Sequence, residues 1–249
     1  MNQFLGLMKK EHLDFFSLAI VILGLALLAI FAGPLMLVEL YDVTPTNSRF
    51  VITSVILGLL VLYQLIQSFT SLNTAIKHKD LWLHNTMVME GLIGAKVVYQ
   101  CLQLWALATV SFLGYFFCGN LLNGTPWEYF IFYVSCMYLV LGAYFGIFVI
   151  SLLFYTVSLQ LKKWIGVLSY VATFVLIVLF VENIAKVEMV IFQYGYISEE
   201  WLKDNLPTFN GVELLIVTPA YVLEEAMYGI IFIIIFVLSS RWIEKVMLR

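Results

Sequence analysis

The feature that most constrains this chain is a series of uninterrupted apolar runs of about twenty residues, the length a helix needs to cross a hydrocarbon core about 30 Å thick. Lipid offers no partners to backbone N–H and C=O groups, so only helices and closed barrels span it. Barrel strands alternate polar and apolar residues, and runs such as Ile230 to Leu238 do not alternate. An all-α, polytopic membrane protein is therefore expected. Composition agrees: 63% of the 249 residues are hydrophobic and 12% are charged, against about one-quarter charged in a soluble domain.

Spans are predicted near Phe15–Val38, Phe50–Leu72, Val97–Leu122, Tyr129–Leu159, Ile165–Ile184 and Ala220–Ser240. These are six transmembrane helices in a single transmembrane domain covering 1–249, joined by Glu39–Arg49, Asn73–Lys96, Asn123–Glu128, Gln160–Trp164 and Ala185–Pro219. The first run is too long for the h-region of a signal peptide, about 7–15 residues, and reads as a retained span.

Orientation follows from the basic residues. Lys9, Lys10, Lys77, Lys79, Lys96, Lys162, Lys163, Arg241, Lys245 and Arg249 share one side of the six-span arrangement, leaving Arg49, Lys186 and Lys203 opposite. The excess marks the cytoplasmic side. Both termini are expected there, in a multi-pass protein of the plasma membrane. Ahead of the first span, residues 1–14 read as an interfacial helix, with Phe4, Leu5, Met8, Leu13 and Phe16 gathered near one face and Lys9, Lys10 and Glu11 on the wet side.

Several function classes are set aside. The formal net charge is −3 with no basic stripe, which supports no nucleic-acid partner. Cys101, Cys118 and Cys136 lack CxxC spacing and read as packing residues. Glu224-Glu225 superficially resembles the paired glutamates of CAAX-type membrane proteases, but Gly229 stands at the corresponding Arg position, and His12, His78 and His84 lie at the cytoplasmic edge. Neither an H-E-x-x-H motif nor a G-x-S-x-G elbow occurs. No catalytic or metal-ligating set is predicted, and the chain is expected not to be an enzyme itself.

The most informative connection is the second, residues 73–96. Charged Lys77-His78-Lys79-Asp80 leads to the apolar Leu81-Trp82-Leu83, then His84, with Asn85 or Thr86 as candidate caps for a helix feeding the third span. An aromatic anchor between leucines, flanked by Asp80 and His84, has the composition of a docking element. The same residues also fit a membrane-surface helix whose apolar side chains dip into lipid.

Lys79, Asp80, Leu81, Trp82, Leu83 and His84, followed by Lys96 at the third span, resemble the first coupling-helix region of ABC-2 type ABC transporter permeases. The amphipathic start, the span number, the short fourth connection and the long fifth one are similar to the same family. Within it, the chain looks most like membrane subunits of Gram-positive peptide exporters, although Asn85-Thr86-Met87 stands where many relatives carry a Pro after the His. The resemblance implies export of amphipathic or antimicrobial peptides. No G-x-x-x-x-G-K-[ST] loop exists in the chain, so ATP and magnesium would belong to a partner ABC ATPase, and the chain itself would bind no cofactor. It also implies a second permease subunit, the same chain or a homologue, and a coupling loop moved as a lever by the ATPase. Lys162 and Lys163 are a candidate second contact, although an ordinary positive-inside anchor is the more economical reading of them.

Two further features are singled out. Gly142-x-x-x-Gly146 forms a small-xxx-small face that permits close helix approach, between subunits or within one. Glu224 and Glu225, about 8 Å along the last helix from Pro219 at 1.5 Å per residue, are candidates for the outer pathway or gate; an interfacial, solvated pair is the alternative. The external stretch 185–219 is expected to hold short helices that re-enter or cap the outer face. A secondary transporter or channel without an ATPase partner is the competing reading, since both can be built from six spans.

Overall fold

A computed structural model describes residues 2–41, 45–77, 88–118, 126–191, 196–197 and 220–247; at several helix ends it describes the backbone alone. The elements are α1 (Asn2–Tyr41), α2 (Pro45–Lys77), α3 (Met89–Cys118), α4 (Pro126–Ile165), α5 (Leu168–Ile191), β1 (Tyr196–Ile197), β2 (Ala220–Tyr221) and α6 (Val222–Met247). The chain is all but entirely helical among the described residues, as the apolar runs require.

Among the described residues, four stretches are long and apolar enough to cross a membrane: Phe4–Met36, Val51–Ile76, Met89–Gly114 and Phe132–Phe180. The last is interrupted by a turn at Gly166, whose φ of +56° places it in the left-handed region. That conformation ends α4, because Gly carries no Cβ to clash there. Gly166 N–H still donates to Lys162 C=O at 3.1 Å, and Ser169 N–H donates to Gly166 C=O at 3.2 Å as α5 begins. Pro45 and Pro126 each open a helix, where the missing N–H leaves no bond unmade.

Helix boundaries depart from expectation in the connections. Amphipathic start and first apolar run are one continuous helix, α1, with no break at residue 14. Residues 73–77 and 89–96 are helical, which shortens the second connection from both sides; α3 starts at Met89, with Val88 C=O accepting from Gly91 and Leu92 N–H. Lys162 and Lys163 sit in the last turn of α4 rather than in a loop, so the fourth connection is Gly166–Val167. Their charges there complement the helix dipole. The ends of the fifth connection are tied by an antiparallel strand pair, Tyr196 opposite Tyr221 and Ile197 opposite Ala220. Asn85, Thr86 and the interior of that fifth connection, 198–219, lie outside the described residues.

The helices gather into two compact units, Met1–Phe145 and Gly146–Arg249. In the first, α3 is central, packed against α1 and α2. Its core is built from Ala26 and Ile30 of α1, Leu60 and Leu72 of α2, and Ile93, Leu104 and Ala108 of α3. Phe112 meets Phe132 edge-on, with ring centroids 5.9 Å apart. In the second unit, Phe148, Val149 and Leu152 of α4 and Ile243 of α6 are buried. Large apolar side chains point outward from both units, including Leu25 and Leu28, Ile66, and Trp164, which is 86% exposed. So much exposed apolar surface suits hydrocarbon as the solvent and not water.

A buried polar column as the candidate functional site

The first unit carries a stripe of polar side chains where an apolar seam is the rule. On α2 it comprises Gln64, Gln67, Ser68 and Ser71; on α3, Lys96, Gln100 and Gln103. Spacings of three and four residues put each set on one helical face. Ser71 bonds to Lys96 near the loop, while Gln67 Nε2 donates to Gln103 Oε1 at 3.1 Å further away. The two helices therefore run antiparallel, and the faces meet as a ladder.

At the loop end stands a charged triad. Lys96 Nζ forms a salt bridge with Glu11 Oε1 and donates to Ser71 Oγ. Ser71 Oγ in turn lies 2.7 Å from Glu11 Oε1 and 2.8 Å from Oε2. All three are buried, at 4% exposure for Glu11, 6% for Ser71 and 7% for Lys96. This corrects the reading of Glu11 as a wet-side residue: α1 continues straight into the first span, which turns that face onto α2 and α3. It also removes Lys96 from the set of free surface cations. Beside the triad, His12 stacks at a tilt on Phe16, with centroids 4.5 Å apart, and meets Tyr99 edge-on. A buried charge pair is tolerated only when closely matched and hydrogen-bonded, and here one hydroxyl completes both partners.

Further along the column, Ser68 Oγ donates to Gln64 C=O at 2.7 Å and lies 2.8 Å from the Tyr144 hydroxyl of α4. Gln64 and Gln100 are fully buried. Neither amide group has a hydrogen-bond partner among the described residues.

Of the residues singled out from sequence, Lys79, Asp80, Leu81, Trp82, Leu83 and His84 lie outside the described residues, between α2 and α3. Lys162 and Lys163 are exposed. Glu224 and Glu225 fall in the first turn of α6, with only their backbone described. In the first unit, a Cβ on Gly142 would meet nothing within 4 Å; in the second, one on Gly146 would meet the Phe232 ring at 3.4 Å. Gly146 thus accommodates an aromatic ring rather than a close backbone. Ser71 and the glutamines are not among the residues singled out from sequence. Their signal was the i, i+4, i+7 recurrence of Lys96, Gln100 and Gln103 inside an otherwise apolar helix.

Comparison with protein-family models, curated proteins and solved structures finds no match to the chain.

Proposed function

We propose that this chain is the transmembrane permease subunit of an ATP-driven exporter, with amphipathic or antimicrobial peptides as cargo and a separate nucleotide-binding subunit supplying ATP hydrolysis. The observation that carries the reading is the Glu11–Lys96–Ser71 triad. Ser71 and Lys96 lie on the helices flanking the Asp80–His84 loop, and Glu11 fastens both to α1. With α1, α2 and α3 fastened together, a push on the segment between α2 and α3 reaches three helices at once, as a coupling element requires. In this reading six spans put both termini in the cytoplasm of a plasma-membrane protein, and a second permease subunit completes the pathway. Leu81, Trp82 and Leu83 dock in a groove of the ATPase.

The test is co-purification of the detergent-solubilised chain with the ATPase encoded beside it. Stoichiometric recovery that weakens in Trp82→Ala and Asp80→Ala supports the reading. Recovery of the folded, monodisperse protein with no ATPase sinks it.

One observation favours a second reading, a secondary transporter or channel without an ATPase. Polar side chains reach the middle of the predicted spans in the first unit, and such residues mark ion and proton paths in transporters. Transport by the purified chain in vesicles without ATP would select it.

A further inference from the structure

Gln64 lies midway along the candidate span Val51–Ile76, and Gln100 and Gln103 lie at the middle of Met89–Gly114. Gln64 and Gln100 are fully buried, and an unpaired amide is costly in such a setting. Part of the neighbouring polar set is engaged, while Gln103 Nε2 also has no partner among the described residues. Ser68 serves the Gln64 carbonyl and Tyr144, Gln67 Nε2 serves Gln103, and Ser71 serves Glu11. Gln67 Oε1 and both amide atoms of Gln64 and of Gln100 have no partner among the described residues.

The character of these groups identifies the guest. Donors and acceptors stand together and none carries formal charge. A cation would face amide N–H groups and an anion would face carbonyl oxygens, whereas water donates and accepts, and needs two to four polar partners. Direction is also defined. From the midpoint toward the loop the column is polar, through Gln100, Ser68, Ser71, Lys96 and Glu11. In the opposite direction the same faces become Leu60 and Ile56 on α2, and Leu104, Leu107 and Ala108 on α3, all buried.

We propose that the α2–α3 seam binds a short file of water molecules, running from the Glu11–Lys96–Ser71 triad to Gln64 and closed beyond it by the leucine layer: a hydrated half-channel. It requires only that the chain span a bilayer and is independent of whether an ATPase drives it.

The test is water-edited solid-state NMR on the full chain in phosphatidylcholine vesicles. Gln64 and Gln100 are the two glutamines that follow a tyrosine, so carbonyl-13C tyrosine with uniformly 13C,15N-labelled glutamine picks out both without any substitution. Their side-chain amides are expected to receive water magnetisation at mixing times as short as those of the partly exposed Gln160. Build-up as slow as that of the buried Leu104 backbone amide, seen in a sample with labelled leucine, would overturn the proposal. Thermal melting gives an independent sign. Gln64→Leu and Gln100→Leu lower the melting temperature if water bridges the amides, and raise it if the amides are dry and unpaired.

Discussion

Replacing one member of the buried charge pair should be far more damaging than replacing both. Glu11→Leu strips the buried Lys96 ammonium of its counter-charge while Ser71 still accepts from it; Lys96→Met strands the carboxylate in the same position. Breaking a buried ion pair from one side costs about 3–5 kcal/mol, while exchanging the whole pair for apolar residues of similar volume is near neutral or stabilising. Taken at face value, two single losses of about 3 kcal/mol against a double near zero give a coupling of about 6 kcal/mol. A stranded group partly escapes by giving up its charge, which trims each single loss. The expected coupling is therefore about 3 kcal/mol or more. For a chain of this length a loss of about 3 kcal/mol corresponds to a fall of about 6–12 °C in melting temperature. The assay is thermal unfolding of the wild type, both single variants and the double in one detergent, followed by tryptophan fluorescence. Additive losses, or single losses below about 1 kcal/mol, would place the pair among solvent-screened surface bridges and refute the reasoning.

Three other positions test the packing within each unit, Tyr144 in the first and Gly146 and Gly166 in the second. Tyr144→Phe removes the hydroxyl that contacts Ser68 at 2.8 Å and should cost about 1 kcal/mol, read in the same melting experiment. Gly146→Ala brings a methyl group to ordinary contact with Phe232 and should be neutral or stabilise by up to about 1 kcal/mol through helix propensity. Gly146→Leu overpacks the same contact and should cost about 1–3 kcal/mol; equal effects of the two changes would show that Phe232 does not limit the space. Gly166→Ala forces a side chain into the left-handed conformation that ends α4 and should cost about 1–2 kcal/mol, with unchanged stability counting against the turn.

What could be read from the sequence divides along the range of the interactions involved. A membrane span is a local property: twenty apolar residues satisfy their own backbone and need no neighbour, so the helical class and the four long apolar stretches among the described residues are legible in the chain by itself. Helix ends were less so, because polar residues at a span's edge stay helical when packing engages them. By sequence Lys96 closes the connection leading to the third span, yet it lies two turns inside α3, where Glu11 and Ser71 engage it. Glu11 shows the limit most sharply. Beside Lys9 and Lys10 it has the pattern of a wet helical face, and its actual partner is 85 residues away. Burying a carboxylate is prohibitive without that partner and acceptable with it, so the correct placement of one residue depends on first knowing the fold that the other belongs to. The polar column has the same logic in weaker form. Its period was present in Lys96, Gln100 and Gln103, but a polar stripe on a single helix fits a solvent-facing surface as well as a ladder. Only the antiparallel pairing of α2 with α3, fixed by the Ser71–Lys96 and Gln67–Gln103 rungs, turns the two stripes toward each other and places them in the interior of the first unit.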